Sequence, residues 1–182
     1  HRVLKVGRIL PGAGHLATGQ LGPALIRLSL LAVGLFLLFA GWTGLAVTAD
    51  VPENGDAKPI ELLGIPLLLI RDRAGQVRVF ENICRHRGMI LVSEPRKIEG
   101  AIRCPYHSWC YSLDGKLRAT PHVGGPGINT HDSIDRDTTG LTPVAMGIFM
   151  DAVFVNISGQ GPDFEDWIAP VRDRLKDFAD RP

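Results

Sequence analysis

Cys84-Arg-His86 and Cys104-Pro-Tyr-His107 are the two segments around which this 182-residue chain is organised. Each segment supplies one thiol and one imidazole, and 17 residues separate His86 from Cys104. Thiolates and neutral imidazoles are preferred ligands of transition metals. The two segments therefore predict a metal centre held between two loops, with one Cys and one His from each loop as ligands.

The ligand set suits a [2Fe–2S] cluster in which two Cys bind one iron and two His bind the other. Cys84 and Cys104 would then hold the inner iron, and His86 and His107 the outer iron. Neutral imidazoles in place of two thiolates raise the reduction potential, into a range of roughly −150 to +300 mV. This interpretation predicts an electron carrier, or the electron-accepting part of an enzyme.

Zinc is the alternative, because two Cys and two His also form a tetrahedral structural site. The usual zinc finger places both Cys in one knuckle and both His on a helix. Here each segment contains one of each, and Arg87-Gly88 and Ser108-Trp109 follow them as loop or strand residues. The spacing favours the iron–sulfur cluster, and a zinc-stabilised binding module without redox activity remains the competing hypothesis.

The sequences "CRHRG" (84–88) and "CPYHSW" (104–109) resemble the Rieske fingerprint C-x-H…C-x-x-H, especially that of ring-hydroxylating oxygenases. The resemblance extends from about Trp42 to Pro182. It includes "SLDGKLRATPHVGG" (112–125) and "DFEDWIAPVRDRL" (163–175), which look like the alpha (large) subunits of aromatic-ring or choline-type oxygenases. The chain is thus similar to the N-terminal part of such a subunit.

The resemblance implies that the chain passes single electrons from a reductase or ferredoxin to the mononuclear iron of an oxygenase. That oxygenase would be a monooxygenase or a dioxygenase. The iron would belong to a catalytic domain or neighbouring subunit, and a full alpha subunit implies a homotrimer. Such an iron needs two His and a carboxylate. The family's D/E-x-x-H-x4-H pattern is not found in this sequence, so no catalytic residues are predicted. The alternative is a stand-alone, membrane-tethered Rieske ferredoxin.

The chain has three Cys, and the metal centre leaves Cys110 as a small buried residue that has no disulfide partner. Rieske proteins of the respiratory and photosynthetic complexes carry an extra Cys in each loop, where Met89 and Tyr106 stand here. Their absence favours the oxygenase or ferredoxin type and a reducing compartment. The net charge is +1, with 20 basic and 19 acidic residues, and does not indicate a nucleic-acid partner.

Residues 1–41 differ in composition from residues 42–182, which we expect to form the cluster domain. No charged residue occurs from Leu28 to Ala49, which predicts a hydrophobic N-terminal helix and membrane anchor. A cleaved signal sequence and a buried helix are the alternatives. The missing disulfide predicts a cytoplasmic cluster domain, whereas the positive-inside rule would place that domain on the opposite side. The sequence leaves the sidedness open.

Short apolar runs separated by turn residues begin at Thr43 and predict a mainly β fold. We expect an antiparallel β-sandwich with a cluster-binding hairpin subdomain and a C-terminal helix. The helix is predicted to begin after Pro162, to kink or restart at Pro170, and to present an apolar stripe. That stripe comprises Trp167, Val171, Leu175 and Phe178.

Residues 120–140 form a long polar, glycine-rich loop, which contains His122 and His131 with Asp132 beside the latter. We expect this loop to lie on a neighbouring domain rather than to bind a metal ion. Near the cluster, Trp109 is expected to shield it or to be an ordinary core aromatic, and the Tyr106 and Ser108 side chains are candidate hydrogen-bond donors to a sulfur. Arg85 and Arg87 are candidates for docking an acidic reductase or ferredoxin.

Overall fold

The computed structural model describes residues 41–179 together with Ser29. Antiparallel strands make up most of its regular structure, as expected, and one α-helix, α1 (Phe164–Ala179), follows the last strand. A short 3-10 helix spans Thr48–Asp50. The strands are β1 (Thr43–Val47), β2 (Asp56–Leu62), β3 (Ile65–Arg71), β4 (Val77–Glu81), β5 (Arg96–Lys97), β6 (Ile102–Arg103), β7 (Cys110–Tyr111), β8 (Leu117–Ala119), β9 (Ala145–Phe149) and β10 (Ala152–Asn156).

The central layer is a four-stranded sheet with the order β4-β3-β2-β5. Its strand β3 contains an uninterrupted apolar run, and Leu67, Leu68, Leu69 and Ile70 are all completely buried. Successive side chains of a strand point to opposite faces. A run that is buried at every position must therefore be covered on both faces, unlike a strand with one face in water.

A second sheet, β1-β10-β9, covers one face of the central layer. Leu67 and Leu69 of β3 pack there against Val153 and Val155 of β10. The third sheet, β6-β7-β8, lies on the other face, where Leu68 and Ile70 join the same buried cluster as Ile102, Tyr111 and Leu117. Together with that third sheet, the segments that contain the four candidate ligands pack on this second face.

Tight turns connect the strands of the hairpins. Leu63 and Gly64 link β2 to β3, and Met150 and Asp151 link β9 to β10, all four with positive φ. In the turn between β3 and β4, the buried Asp72 carboxylate accepts hydrogen bonds from the backbone N–H groups of residues 74 and 76 and from Arg78. Burial opposes ionisation of Asp72, but these donors outweigh it and lower the pKa of the carboxyl.

Helix α1 runs through Pro170 without interruption, so the predicted restart is wrong. Its buried residues are Phe164 and Ile168, whereas Val171 from the predicted stripe is 42 % exposed. The predicted apolar stripe is not buried at Val171, because the helix packs on β9 through its N-terminal part. There Phe164 lies against Gly147 and contacts the Trp42 and Phe154 rings.

The predicted hydrophobic helix within residues 1–41 lies outside the described residues, apart from Ser29 and Gly41. In the part of the chain that the structure describes, no helix has the length and apolar character needed to cross a membrane.

We predict that Gly147→Ala lowers the stability of the domain by about 1–3 kcal/mol, the usual cost of inserting a methyl group into a packed site. A Cβ at Gly147 would overlap the Phe164 ring, so α1 has to move away from β9. Urea unfolding followed by tryptophan fluorescence measures the effect, since Trp42 and Trp167 contact the aromatic residues at this joint.

Gly44→Ala is the matched control, because a Cβ there meets only Phe154, at an ordinary contact distance of 3.9 Å. Equal stabilities of the two variants would contradict the proposed packing of α1.

Candidate metal centre

The two predicted ligand segments are neighbouring loops on the same face of the central sheet. The first loop, residues 82–88, follows β4, and the second loop, residues 104–108, connects β6 to β7. Both loops contribute side chains to one buried cluster, which includes Cys84 and Cys104. The fold thus brings together two loops that lie well apart in the sequence.

The two loops share one backbone pattern. The backbone N–H of each Cys donates to the backbone carbonyl of the residue five positions later. The backbone N–H of the residue four positions later donates to the backbone carbonyl of the Cys. The residue that donates back has a positive φ in both loops, 70° at Gly88 and 59° at Ser108. The distances are 2.8 Å for Cys84 to Met89, 3.0 Å for Gly88 to Cys84, 2.8 Å for Cys104 to Trp109, and 3.1 Å for Ser108 to Cys104.

Asn82 closes the first loop at its base. Its side-chain amide donates to the Val92 carbonyl at 2.7 Å, and its side-chain oxygen accepts the Val92 N–H at 3.0 Å. Asn82 is itself buried, so both bonds are shielded from water. This residue was missed in the sequence, because a loop Asn has no distinguishing pattern until its partner ten residues later is known.

The two candidate thiol ligands are buried more deeply than the two candidate imidazole ligands. Cys84 and Cys104 are free and buried, with exposures of 1 % and 2 %. The imidazoles of His86 and His107 are only partly buried, and their ring centres lie 4.8 Å apart. The thiols therefore lie in the interior and the imidazoles nearer the surface.

Both imidazoles present an Nδ1 atom that is buried and has no hydrogen-bond partner. Buried polar atoms without partners are rare in proteins and need an explanation. A metal ion on each Nδ1 satisfies them. Burial, helped by the nearby His107 and Arg87, also lowers the pKa of His86 and favours the neutral imidazole that a metal requires. The residues therefore fit a metal centre.

Tyr111 is the residue next to the thiols that the sequence did not single out. It is completely buried, and its hydroxyl lies 3.4 Å from Cys84 Sγ. The hydroxyl also accepts the N–H of Arg85 at 3.1 Å, which leaves its own proton free for the sulfur. Burial raises the pKa of Tyr111, so the phenol remains a donor. The spacing of two residues between Trp109 and Tyr111 was the available signal, because alternate side chains of an extended segment point the same way.

Burial raises the pKa of the Cys84 thiol, while the Tyr111 hydroxyl and the backbone N–H of His86 act in the opposite direction. The neighbouring Cys104 raises the pKa further. The thiol is therefore protonated in the absence of a metal, and binding has to displace that proton.

Two aromatic residues cover the imidazoles in different ways. The indole of Trp109 is 4 % exposed and lies parallel to the His86 ring, with ring centres 4.7 Å apart. Tyr106 is 58 % exposed and lies on the His107 ring. In the part of the chain that the structure describes, the Tyr106 and Ser108 side chains form no hydrogen bond to a cysteine sulfur, and donation to a cluster sulfide stays a prediction. Cys110 is buried, as predicted, and its Sγ contacts the Ser108 carbonyl.

The surface around the two loops combines positive charge with apolar groups. Arg85 and Arg87 are exposed on either side of His86, and Met89 and Ile90 are exposed on the same loop. This rim, defined as these four residues with Tyr106, suits a protein partner that has acidic and apolar groups.

The histidines of the 120–140 loop are hydrogen-bonded within that loop. His122 Nδ1 accepts the Gly127 N–H at 3.1 Å, and His131 Nδ1 accepts the Ser133 N–H at 3.1 Å. In residues 41–179, no three His, Cys, Asp or Glu side chains are arranged to bind a single metal ion.

The sequence matches a known family of protein domains. The family model of the Rieske [2Fe-2S] domain matches residues 41–132. The chain is 29% identical over 137 residues to the glycine betaine monooxygenase oxygenase subunit of Chromohalobacter salexigens, covering 75% of this chain and 29% of that protein. It is 28% identical over 132 residues to the anthranilate 1,2-dioxygenase large subunit of Acinetobacter baylyi, covering 72% and 27%.

The fold is similar to a crystal structure of a quaternary ammonium Rieske monooxygenase bound to γ-butyrobetaine. The TM-score is 0.67 at 26% sequence identity, over 77% of this chain and 39% of that one. The chain thus spans less than a third of the length of these two curated relatives.

We predict that Cys104→Ser and His107→Ala each abolish iron binding, because each removes one of the four ligands. Cys110→Ser and His122→Ala are the matched controls, since Cys110 points to a carbonyl and His122 is bonded within its own loop. Iron and sulfide analysis with the visible absorption spectrum measures the outcome. A Cys104→Ser protein that keeps its iron, beside a control that loses it, would refute the ligand assignment.

Proposed function

Because the chain belongs to the Rieske [2Fe-2S] domain family, we propose that Cys84, Cys104, His86 and His107 bind its cluster and that the domain transfers single electrons within an oxygenase. The observation that supports this assignment best is the pair of buried, unpartnered Nδ1 atoms in the same two loops as two buried free thiols. Family membership also decides the cofactor, a Rieske-type [2Fe–2S] cluster rather than zinc.

The burial of the ligands supports a division between the two irons. We assign the interior thiols of Cys84 and Cys104 to the inner iron, and the imidazoles of His86 and His107 to the outer iron. When bound, the cluster accepts and releases one electron at a potential of roughly −150 to +300 mV. The outer imidazoles lie at the surface rim, which shortens the path between the cluster and a docked protein.

The protein shields the cysteine ligands from water and provides a hydrogen bond to one of them. Trp109 and Tyr111 are buried beside the ligands and exclude water from the thiols. The Tyr111 hydroxyl lies 3.4 Å from Cys84 Sγ and would donate to it once metal binding has displaced the thiol proton, and such bonds stabilise the extra negative charge of the reduced state. Tyr111 is therefore proposed to raise the reduction potential.

The proposed partners are a reductase or ferredoxin that donates the electron, and an oxygenase catalytic domain or neighbouring subunit that receives it. The two curated relatives named above are an oxygenase subunit and a dioxygenase large subunit, which supports this role. The exposed rim around His86 and His107 provides a docking surface. Arg85 and Arg87 would attract an acidic donor protein and increase the rate of encounter.

The oxygenase role is favoured over a stand-alone ferredoxin by the residues that follow the family match. Strands β9 and β10 complete one of the outer sheets, and α1 packs on β9. The relatives share identity with this chain over 132 and 137 residues, more than the matched Rieske segment contains. The similarity to oxygenase subunits thus extends beyond the matched Rieske segment.

The division into a hydrophobic segment at 1–41 and a cluster domain at 42–182 stays a prediction, supported by the family match that begins at residue 41. The membrane anchor and the cytoplasmic location of the cluster domain are likewise still predictions.

We predict that Tyr111→Phe lowers the reduction potential without loss of the cluster. A hydrogen bond that is stronger by about 1 kcal/mol in the reduced state corresponds to roughly 40 mV for one electron. Protein-film voltammetry measures the shift. Tyr106→Phe is the matched control, because the chain has two Tyr and the Tyr106 side chain is mostly exposed. Identical potentials in both variants would exclude a tuning role for Tyr111.

We also predict that the 182-residue chain accepts an electron but does not oxygenate a substrate, because its sequence lacks the D/E-x-x-H-x4-H pattern of a mononuclear iron site. Reductase, NADH, ferrous iron and either a quaternary amine or an aromatic acid should bleach the cluster absorption without product by mass spectrometry. Cys104→Ser serves as the control without a cluster. Hydroxylated product from this chain would contradict the prediction and indicate an iron site formed by His122, His131 and Asp132.

A further inference from the structure

Trp109 has a polar atom that the ligand assignment leaves unexplained. The residue directly follows the second loop and is 4 % exposed. Its indole lies parallel to the His86 imidazole, with ring centres 4.7 Å apart and an interplanar angle of 9°. The indole Nε1 is buried and has no hydrogen-bond partner.

The unpaired Nε1 belongs to the same small region as the two unpaired imidazole atoms. Among the described residues, the buried side-chain atoms without a partner are His86 Nδ1, His107 Nδ1 and Trp109 Nε1. The His86 ring contacts both of the other rings. Native proteins seldom leave a buried N–H unpaired, because it loses its bond to water and gains none in return. Three such atoms on rings that contact one another therefore call for one common partner.

The missing acceptor has to lie inside the protein. Less than 1 Å² of Nε1 is accessible, so neither bulk water nor a carboxylate of a docked protein reaches it without rearrangement. An indole N–H is a donor only, so the missing partner is an electron-rich atom. The proposed cluster supplies such atoms as thiolate and inorganic sulfide sulfurs, directly beside His86.

We propose that the Trp109 Nε1–H donates a hydrogen bond to a sulfur of the cluster, an inference that rests on the ligand assignment proposed above. Trp109 then has two roles toward one ligand set: its ring face orients the His86 imidazole, and its N–H stabilises negative charge on sulfur. Because the reduced cluster is more negative, the bond is stronger after reduction, and Trp109 raises the reduction potential.

The test is Trp109→Phe, which keeps an aromatic ring on His86 but removes the donor. We expect the variant to retain the cluster, with a lower midpoint potential in voltammetry. We also expect that the shift of its Fe–S stretching bands in D₂O, measured by resonance Raman spectroscopy, is smaller than in the unmodified protein.

Trp42→Phe and Trp167→Phe are the matched controls, because the chain has three Trp and these two lie in the joint between α1 and the sheet. The Trp42 N–H already donates to the Pro162 carbonyl. Both controls should keep the potential and the D₂O shift of the unmodified protein.

An unchanged potential and an unchanged D₂O shift in a cluster-loaded Trp109→Phe protein would overturn this inference and leave the ligand assignment intact. An unmodified protein that binds no cluster would instead overturn the proposed function. If Trp109→Phe loses the cluster, the unmodified protein labelled with ¹⁵N-indole tryptophan decides the question. Electron–nuclear double resonance of the reduced state should then detect one strongly coupled, exchangeable indole proton, and its absence would refute the hydrogen bond.

Discussion

The burial of strand β3 on both faces is the constraint on which the rest of the structure depends. Leu67 and Leu69 face one outer sheet, while Leu68 and Ile70 face the other, and none of the four is exposed. Burying one such side chain contributes roughly 1.5–3 kcal/mol. A central strand of this kind cannot tolerate water on either face, so both outer sheets have to form. One of them includes β6 and β7, which support the second loop.

A second constraint is the free-energy cost of holding polar ligand groups in a buried position, and the backbone of the two loops is folded in a way that meets it. Each loop folds on its own backbone through bonds to and from its Cys, with a positive φ at Gly88 or Ser108. This arrangement satisfies the backbone internally and leaves the thiol and imidazole free for the metal. In the proposed assignment, the cluster would bind the two buried thiols and supply the partner that the two imidazole nitrogens lack.

The same packing separates the functions of residues that are similar in type. Tyr111 is buried and reaches Cys84, whereas Tyr106 is exposed and covers His107. Cys104 lies among the candidate ligands, while Cys110, six residues later, contacts a carbonyl. Each pair shares a residue type and a short sequence distance. The direction of the strand and the depth of burial decide which member lies next to the metal centre and which lies at the rim.

The sequence by itself determined the four candidate ligands, the antiparallel hairpins and the C-terminal helix, because ligand spacing, alternation and turn residues are local signals. It did not determine the continuity of α1 through Pro170, the exposure of Val171, or the places of Asn82, Tyr111 and the Trp109 N–H. These features depend on contacts between segments far apart in the chain. Burial and hydrogen-bond partnership are properties of the packed molecule, so only the tertiary structure decided them.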